Sequence, residues 1–514
     1  MGDDVRPKEG ARSGPATARI WRPQALRATL PVPQTRVHPH RDPSGARPIR
    51  LPTLLRATRT KYALGEASNA LTLLLFAALA RALGLRPGGD LLYGDLVAIL
   101  AANAILATIL ELGFHNLLTR EVARAPHGAW PAARHALARQ ALVCIPTLLV
   151  LYGYMRVSAI DPGSYLGGLL IGASFCFRSL KETLRGICRG LHRFGTEALF
   201  LWTERLGLLL LAVPVVLLGG GLTELGLLFL VVRAADFLAF LLVVRRATHR
   251  GADSGESAAT LAAALPFAVS NLAWSMYYQI DTTLLAALGT RLDTGLYGAL
   301  YRFVDLSQVL PRLVIVVAYP VMAVAWVKDR ARFEATVRSY RRMLAVLGVP
   351  MLYVLIAWSE ACLRLAFGEP YAAGAEGMRW VIAGGYFAFQ SILLTQALQA
   401  AGRERPVAAA LVTTVAFNAA LNVALIPAMG YRGAALATLA TEAVYFAILA
   451  ALARAGGVQR SIGLGPVELA GALVLTLAVL RPELARVPWV AGACLVPWLL
   501  LGAALLRRAA SRSA

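Results

Sequence analysis

Residues 62–117 read YALGEASNALTLLLFAALARALG, then LRPGGD, then LLYGDLVAILAANAILATILELGFHNL. Two apolar runs are parted by a short stretch of Arg, Pro and Gly, and each is long enough to cross a ~30 Å hydrocarbon layer as a helix. Period-two alternation is absent, which argues against a lipid-spanning β-barrel. In lipid a backbone must satisfy its own hydrogen bonds, and a helix does so locally. The fold class expected is therefore all-α and polytopic.

Working outward, the pattern repeats to the C-terminus. Fourteen spans are expected: 62–84, 91–117, 136–156, 163–183, 197–219, 222–244, 261–289, 295–325, 340–358, 378–401, 406–428, 432–454, 464–480 and 487–507. Composition agrees, since 58% of the residues are hydrophobic and only 16% charged, against about 25% charged in soluble chains. The net charge of +22 would suit nucleic acid, but its placement argues otherwise. Arginines crowd the N-terminal tail and alternate loops, as topology determinants do. Arg120, Arg124 and Arg134, then Arg178, Lys181, Arg185, Arg189 and Arg193, then Arg245, Arg246 and Arg250 fall on one side. Lys328, Arg330, Arg338, Arg403 and Arg454 continue that set, whereas Arg86, Arg156, Arg291, Arg364 and Arg481 are sparse on the other. Both termini are thus expected in the cytoplasm, with no nucleic-acid partner. Residues 1–61, rich in Pro and Arg, read as a disordered basic tail.

The hairpin also has an echo. Leu83-Gly84 followed by Leu92-Tyr93-Gly94 matches Leu288-Gly289 followed by Leu296-Tyr297-Gly298, six helices later and in the same orientation. Such parallel repeats build two six-helix lobes around a central cavity. The expected division is a first lobe over 62–250, a second over 251–455, and a C-terminal helix pair over 456–514.

Ionisable residues at bilayer depth are costly and mark sites by default. Tyr301, Asp305, Gln308 and Arg312 recur along one helical face, with Arg302 beside it. Asn271, Ser275, Tyr278 and Thr282 answer along the preceding span, with Asp281 nearby. These residues would line a polar cavity, or serve as ion pairs and hydrogen bonds between helices. Arg81 and Asp95 belong to the same candidate set, although they would also pair across the first hairpin. Glu66 and Glu111 are candidates for ion coupling, or for anchoring at the interface. Glu204-Arg205 and Arg233-Asp236 read as structural pairs, and Asn418 and Asn422 as contacts between helices. Lys8, Lys61, Lys181 and Lys328 are the only lysines, none after a glycine, so there is no Walker A motif. HExxH, CxxC and DxD are absent as well, so no catalytic residue, metal site or cofactor is expected.

Several segments together carry a family resemblance. They are ALARALG (78–84), ELGFHNLLTREVAR (111–124), RGLHRFG (189–195), IDTTLLAALGTRLDTGLYGALYRFVDLSQVLP (280–311), AYPVMA (318–323) and FGEPY (367–371), then LQAAGRERP (398–406) and NVALIPAMGYRGAALATLATE (422–442). In order and spacing they resemble the oligosaccharide-lipid flippases, the polysaccharide branch of the multidrug/oligosaccharidyl-lipid/polysaccharide exporter superfamily. The likeness covers roughly 62–455; the long tail and the last helix pair depart from it. It implies a non-enzymatic transporter of the bacterial inner membrane. Such a protein moves a polyprenyl-diphosphate-linked O-antigen or exopolysaccharide unit to the outer leaflet by alternating access. Membrane lipids and that lipid-linked oligosaccharide are the implied partners, together with a glycan polymerase and other assembly proteins. A multidrug/cation antiporter, a lipid II flippase and a membrane glycan polymerase or ligase are the rival readings.

Overall fold

A computed structural model describes residues 71–124, 129–248, 260–458 and 465–511. Glu66 and the tail over 1–61 lie outside the described residues. Within the described residues the chain is helical, without a strand. The helices are α1 (Leu71–Gly84), α2 (Gly89–Glu111), α3 (Phe114–Arg124), α4 (Ala129–Val157), α5 (Tyr165–Gly190), α6 (Phe194–Leu217), α7 (Leu222–Thr248), α8 (Leu261–Leu288), α9 (Arg291–Ser307), α10 (Val309–Lys328), α11 (Arg330–Ala357) and α12 (Ser359–Phe367). After a 3-10 turn come α13 (Ala375–Ala400), α14 (Glu404–Met429), α15 (Tyr431–Ala455), α16 (Pro466–Leu480), α17 (Pro482–Ala485) and α18 (Pro488–Ser511).

Nine segments among the described residues are long and apolar enough to cross a membrane, with α1, α16 and the start of α18 as shorter apolar helices. Helices α5 and α8, also expected as spans, are long enough but less apolar. Their polar faces dilute their hydropathy: α5 carries Arg178, Lys181, Glu182, Arg185 and Arg189. The chain is a multi-pass membrane protein. Exposed Leu and Val side chains along α4, α6 and α7, such as Leu142, Leu149 and Leu210, are the surface that lipid wets.

Three expected boundaries are revised. The second span is not one helix to 117: it ends at Glu111, and Leu112 (φ 49°) and Gly113 (φ 71°) turn the chain into α3. Gly113 is required there, because a Cβ would lie 2.5 Å from the Ala264 carbonyl oxygen of α8. The eighth span is interrupted at Gln308, where Pro311 cannot donate a backbone hydrogen bond to the preceding turn. The fourth span runs past its expected end at 183 to Gly190, so Arg185 and Arg189 also lie within a helix and not in a loop.

Helix packing falls into two groups. In one, α5 lies against α2, α3, α4 and α7, and α6 lies on α7; in the other, α13 packs with α10, α11 and α15, α14 with α15, and α16 and α18 with α11. Helix α8 touches both groups through α2 and α14, and α9 does so through α2 and α13. The Leu-Tyr-Gly echo lies where α2 and α9 meet. A Cβ on Gly94 would sit 2.0 Å from the Arg291 carbonyl oxygen, and one on Gly298 would sit 2.5 Å from Val97. Lipid supplies no hydrophobic drive between helices, so this close backbone approach is what holds them. Tyr93 and Tyr297, beside the two glycines, are fully buried.

Charges inside the first group also pair, though not with their sequence neighbours. Arg233 Nε donates to Glu204 Oε1 at 3.0 Å, and Lys181 donates to Asp236 at 2.6 Å and also to Glu204. Lys181 on α5 therefore ties α6 to α7. Removing one member of such a buried set typically costs about 3–5 kcal/mol.

Candidate functional site

The helix ends bearing Arg120, Arg189, Arg330, Arg403 and Arg454 form an arginine-rich end; the hairpins at 85–88 and 289–290 lie at the opposite one. At that opposite end the two groups of helices are joined directly. Arg291, from the start of α9, grips Asp95 of α2 with both arms of its guanidinium, at 2.8 and 2.7 Å. Ser164 donates to the same carboxylate at 2.7 Å, and Asp95 is fully buried. Ala159 N–H donates to the Ala286 carbonyl at 3.0 Å. Arg81 donates to the Ala366 carbonyl at 2.9 Å and to that of Leu365, at the C-terminal end of α12. A cation there complements the helix dipole. Arg81 and Asp95 therefore do not pair with each other across the hairpin, and both leave the set of cavity candidates for the seam that shuts this end.

Toward the arginine-rich end the groups part around two adjoining cavities. One, of about 240 Å³, has Leu71, Leu75, Phe76 and Leu79 of α1 on one wall, with Arg178, Arg205, Arg233, Glu204 and Arg302 on others. The next, of about 300 Å³, is lined by Glu111, Arg178, Ser275, Tyr278, Asp305 and Arg312. Ala104, Arg178 and Gln279 border both, so the two form one crevice. Arg302 bonds Asp305 at 2.9 Å and lies 4.4 Å from the centre of the Phe76 ring. Arg312 hydrogen-bonds the Tyr278 hydroxyl. Glu111 lies 3.5 Å from His115.

The polar stripe around the α9–α10 break looks on two spaces. Asp305 and Arg312 face the crevice, whereas Tyr301 and Gln308 line a smaller pocket within the second group that also touches Tyr278. Asn271 accepts a hydrogen bond from Asn116 at 3.3 Å, tying α8 to α3, and lines none of these cavities. Asp281 also leaves the cavity set, since it is buried in a network of its own. Tyr297 donates to it at 3.0 Å, Thr438 at 2.7 Å and Asn422 at 2.8 Å. Among the described residues no basic side chain pairs with it, so neutral donors from three helices alone solvate that carboxyl group.

A family model described as Polysaccharide biosynthesis protein matches residues 63–326, more than half of the 514. The chain belongs to that family. A probable low-salt glycan biosynthesis flippase of Haloferax volcanii is 24% identical over 180 residues, covering 34% of this chain and 38% of that protein. The chain thus spans less than half the length of that relative. Among solved structures, the lipid II flippase MurJ in an inward closed conformation superposes with a TM-score of 0.65 at 12% identity, over 88% of this chain and 98% of that one. A transporter of the multidrug/oligosaccharidyl-lipid/polysaccharide superfamily from Pyrococcus furiosus superposes with a TM-score of 0.53 at 13% identity, over 84% and 96%. An inward-facing multidrug transporter of the same superfamily gives 0.54 at 13%, over 84% and 96%. At such identities the likeness is one of fold: this member of the polysaccharide biosynthesis family has a transporter's architecture.

Four residues of this family member escaped the sequence reading. Arg178 and Arg291 counted only as loop charges, though the first faces the crevice and the second clasps Asp95. Lys181 counted the same way. Glu442 on α15 lies inside an apolar run and lines the small pocket; a lone carboxylate at such depth was the available signal.

Proposed function

We propose that the chain is a flippase that carries a polyprenyl-diphosphate-linked oligosaccharide from the inner to the outer leaflet of a bacterial plasma membrane. One observation carries this reading. The crevice between the two helix groups sets Arg178, Arg205, Arg233, Arg302 and Arg312 against Glu111, Glu204 and Asp305, an excess of positive charge at membrane depth. Such an excess fits an anionic headgroup, and the planar fork of arginine suits phosphate oxygens. The apolar α1 wall lets a lipid tail remain in the bilayer while the glycan occupies the polar space.

The arginine-rich end is then cytoplasmic, as are both termini. The units that rock are the first lobe over 62–250 and the second over 251–455, with the helix pair over 456–514 riding on the second. The Asp95–Arg291 clasp and the Gly94–Gly298 crossing hold the outer side shut in this state and must part for release. An inside-negative potential assists the outward step by about 2.3 kcal/mol per charge for each 100 mV.

Deleting the gene in its own host is expected to remove the surface glycan while its lipid-linked precursor accumulates on the inner leaflet. Extracted lipids and surface polysaccharide, measured together, check this. Normal surface glycan in a clean deletion without a paralogue would contradict it.

A further inference from the structure

The small pocket beside the crevice is built differently from it. It lies among α8, α9, α13 and α15 and has a volume of about 40 Å³, room for one or two groups the size of water but not for a sugar ring. Its walls are aromatic: Trp274, Tyr277, Tyr278, Tyr301 and Tyr445. The Trp274 and Tyr278 rings stack at 6.0 Å between centroids, and Tyr277 stands edge-on to Tyr278 at 5.4 Å. Into this box projects Glu442. Its Oε1 accepts from the Tyr277 hydroxyl at 2.6 Å, while Oε2 is buried with no hydrogen-bond partner. Ser391 Oγ, which lines the pocket from α13 and is 2% exposed, is likewise without a partner. The other charged group that bears on Glu442 is Asp281, a second acid.

Two orphaned oxygens, one of them a carboxylate's, and five ring faces in so small a space ask for a cation. The rings select its kind. Aromatic faces attract weakly hydrated cations, whereas a small metal ion demands a shell of oxygens. An ammonium can donate to Glu442 Oε2 and Ser391 Oγ at once while its remaining surface meets the rings. The pocket and the crevice share Trp274 and Tyr278, so a headgroup held on the arginines can extend an arm into the box.

We propose that the Glu442 pocket binds a primary ammonium group on the transported glycan, making the substrate one that carries a free amino sugar. This rests on the flippase reading and adds a selectivity to it. The full-length protein, reconstituted in lipid nanodiscs, would be titrated with two probes: polyprenyl diphosphate bearing one glucosamine with a free amine, and the same lipid bearing glucose. The expected result is about tenfold tighter binding of the amine. In Glu442→Gln, which keeps the side chain's shape, that preference should vanish with the glucose lipid unaffected. Equal binding of both probes by the wild type would overturn the amine site and leave the flippase reading standing, assigning Glu442 to an inorganic cation or a structural bond. A preference that survives Glu442→Gln would also overturn it. If neither probe binds, the flippase reading fails, and the amine site fails with it.

Discussion

Arg312→Ala is expected to slow transport at least about thirtyfold, because truncating one partner of a buried charged contact costs about 2–5 kcal/mol. The residue sits at the start of α10, where the turn at Gln308 ends α9 and aims the next side chains into the crevice. Asp305, on the same stripe, is engaged by Arg302 at 2.9 Å. Its hydrogen bond to Tyr278 is to a neutral hydroxyl, which a phosphate oxygen can displace. Arg312→Lys keeps the charge but loses the fork, and should retain partial activity. Initial rates of lipid translocation in vesicles, normalised to folded protein, measure this. If Arg312 serves the substrate, Arg312→Ala should leave the melting temperature in detergent close to that of the wild type. A large fall in melting temperature with matched loss of protein would assign Arg312 to structure. Full transport would remove it from the site.

The second large effect is expected at Gly94. A Cβ there would stand 2.0 Å from a backbone oxygen of Arg291, and backbone cannot move aside as a flexible side chain can. Gly94→Val should therefore penalise the closed seam between α2 and α9 by about 1–3 kcal/mol, shifting the population toward separated lobes by about five- to 150-fold. Spin labels at Leu218 and Leu365, 88% and 80% exposed at that end of the two helix groups, would report longer distances in the variant. Transport should fall as well, since a seam that cannot close cannot complete the cycle. Unchanged distances would show that the crossing is not the gate.

What the sequence made legible follows from what each signal encodes. Fold class rests on local apolar length, so an all-α, multi-pass membrane chain was predictable. Breaks were harder. Leu112-Gly113 looks like any glycine inside an apolar run until α8 is seen packed against it, and Pro311 is one of several prolines in long helices. The clasp was hidden because Asp95 and Arg291 lie 196 residues apart, and no local pattern links them. Arg81 seemed to be a cavity charge because its real partners are carbonyls of α12, which sequence does not display. The Leu-Tyr-Gly echo was visible as a repeat, but the close approach of its two copies is a fact of packing. Asp281 read as a cavity residue because its side chain type, and not its enclosure by Tyr297, Thr438 and Asn422, is what a sequence shows.

The central claim is translocation of a diphosphate-linked glycan lipid without nucleotide, and reconstitution tests it most directly. Proteoliposomes containing the full chain and a fluorescent polyprenyl-diphosphate glycan would be exposed to dithionite, which quenches only the outer leaflet on this timescale. The account predicts that fluorescence falls nearly to zero without added ATP, well below the plateau of protein-free vesicles, where the inner-leaflet lipid stays protected. A plateau identical to that of protein-free vesicles, from folded protein tested under an imposed potential of either sign, would contradict it.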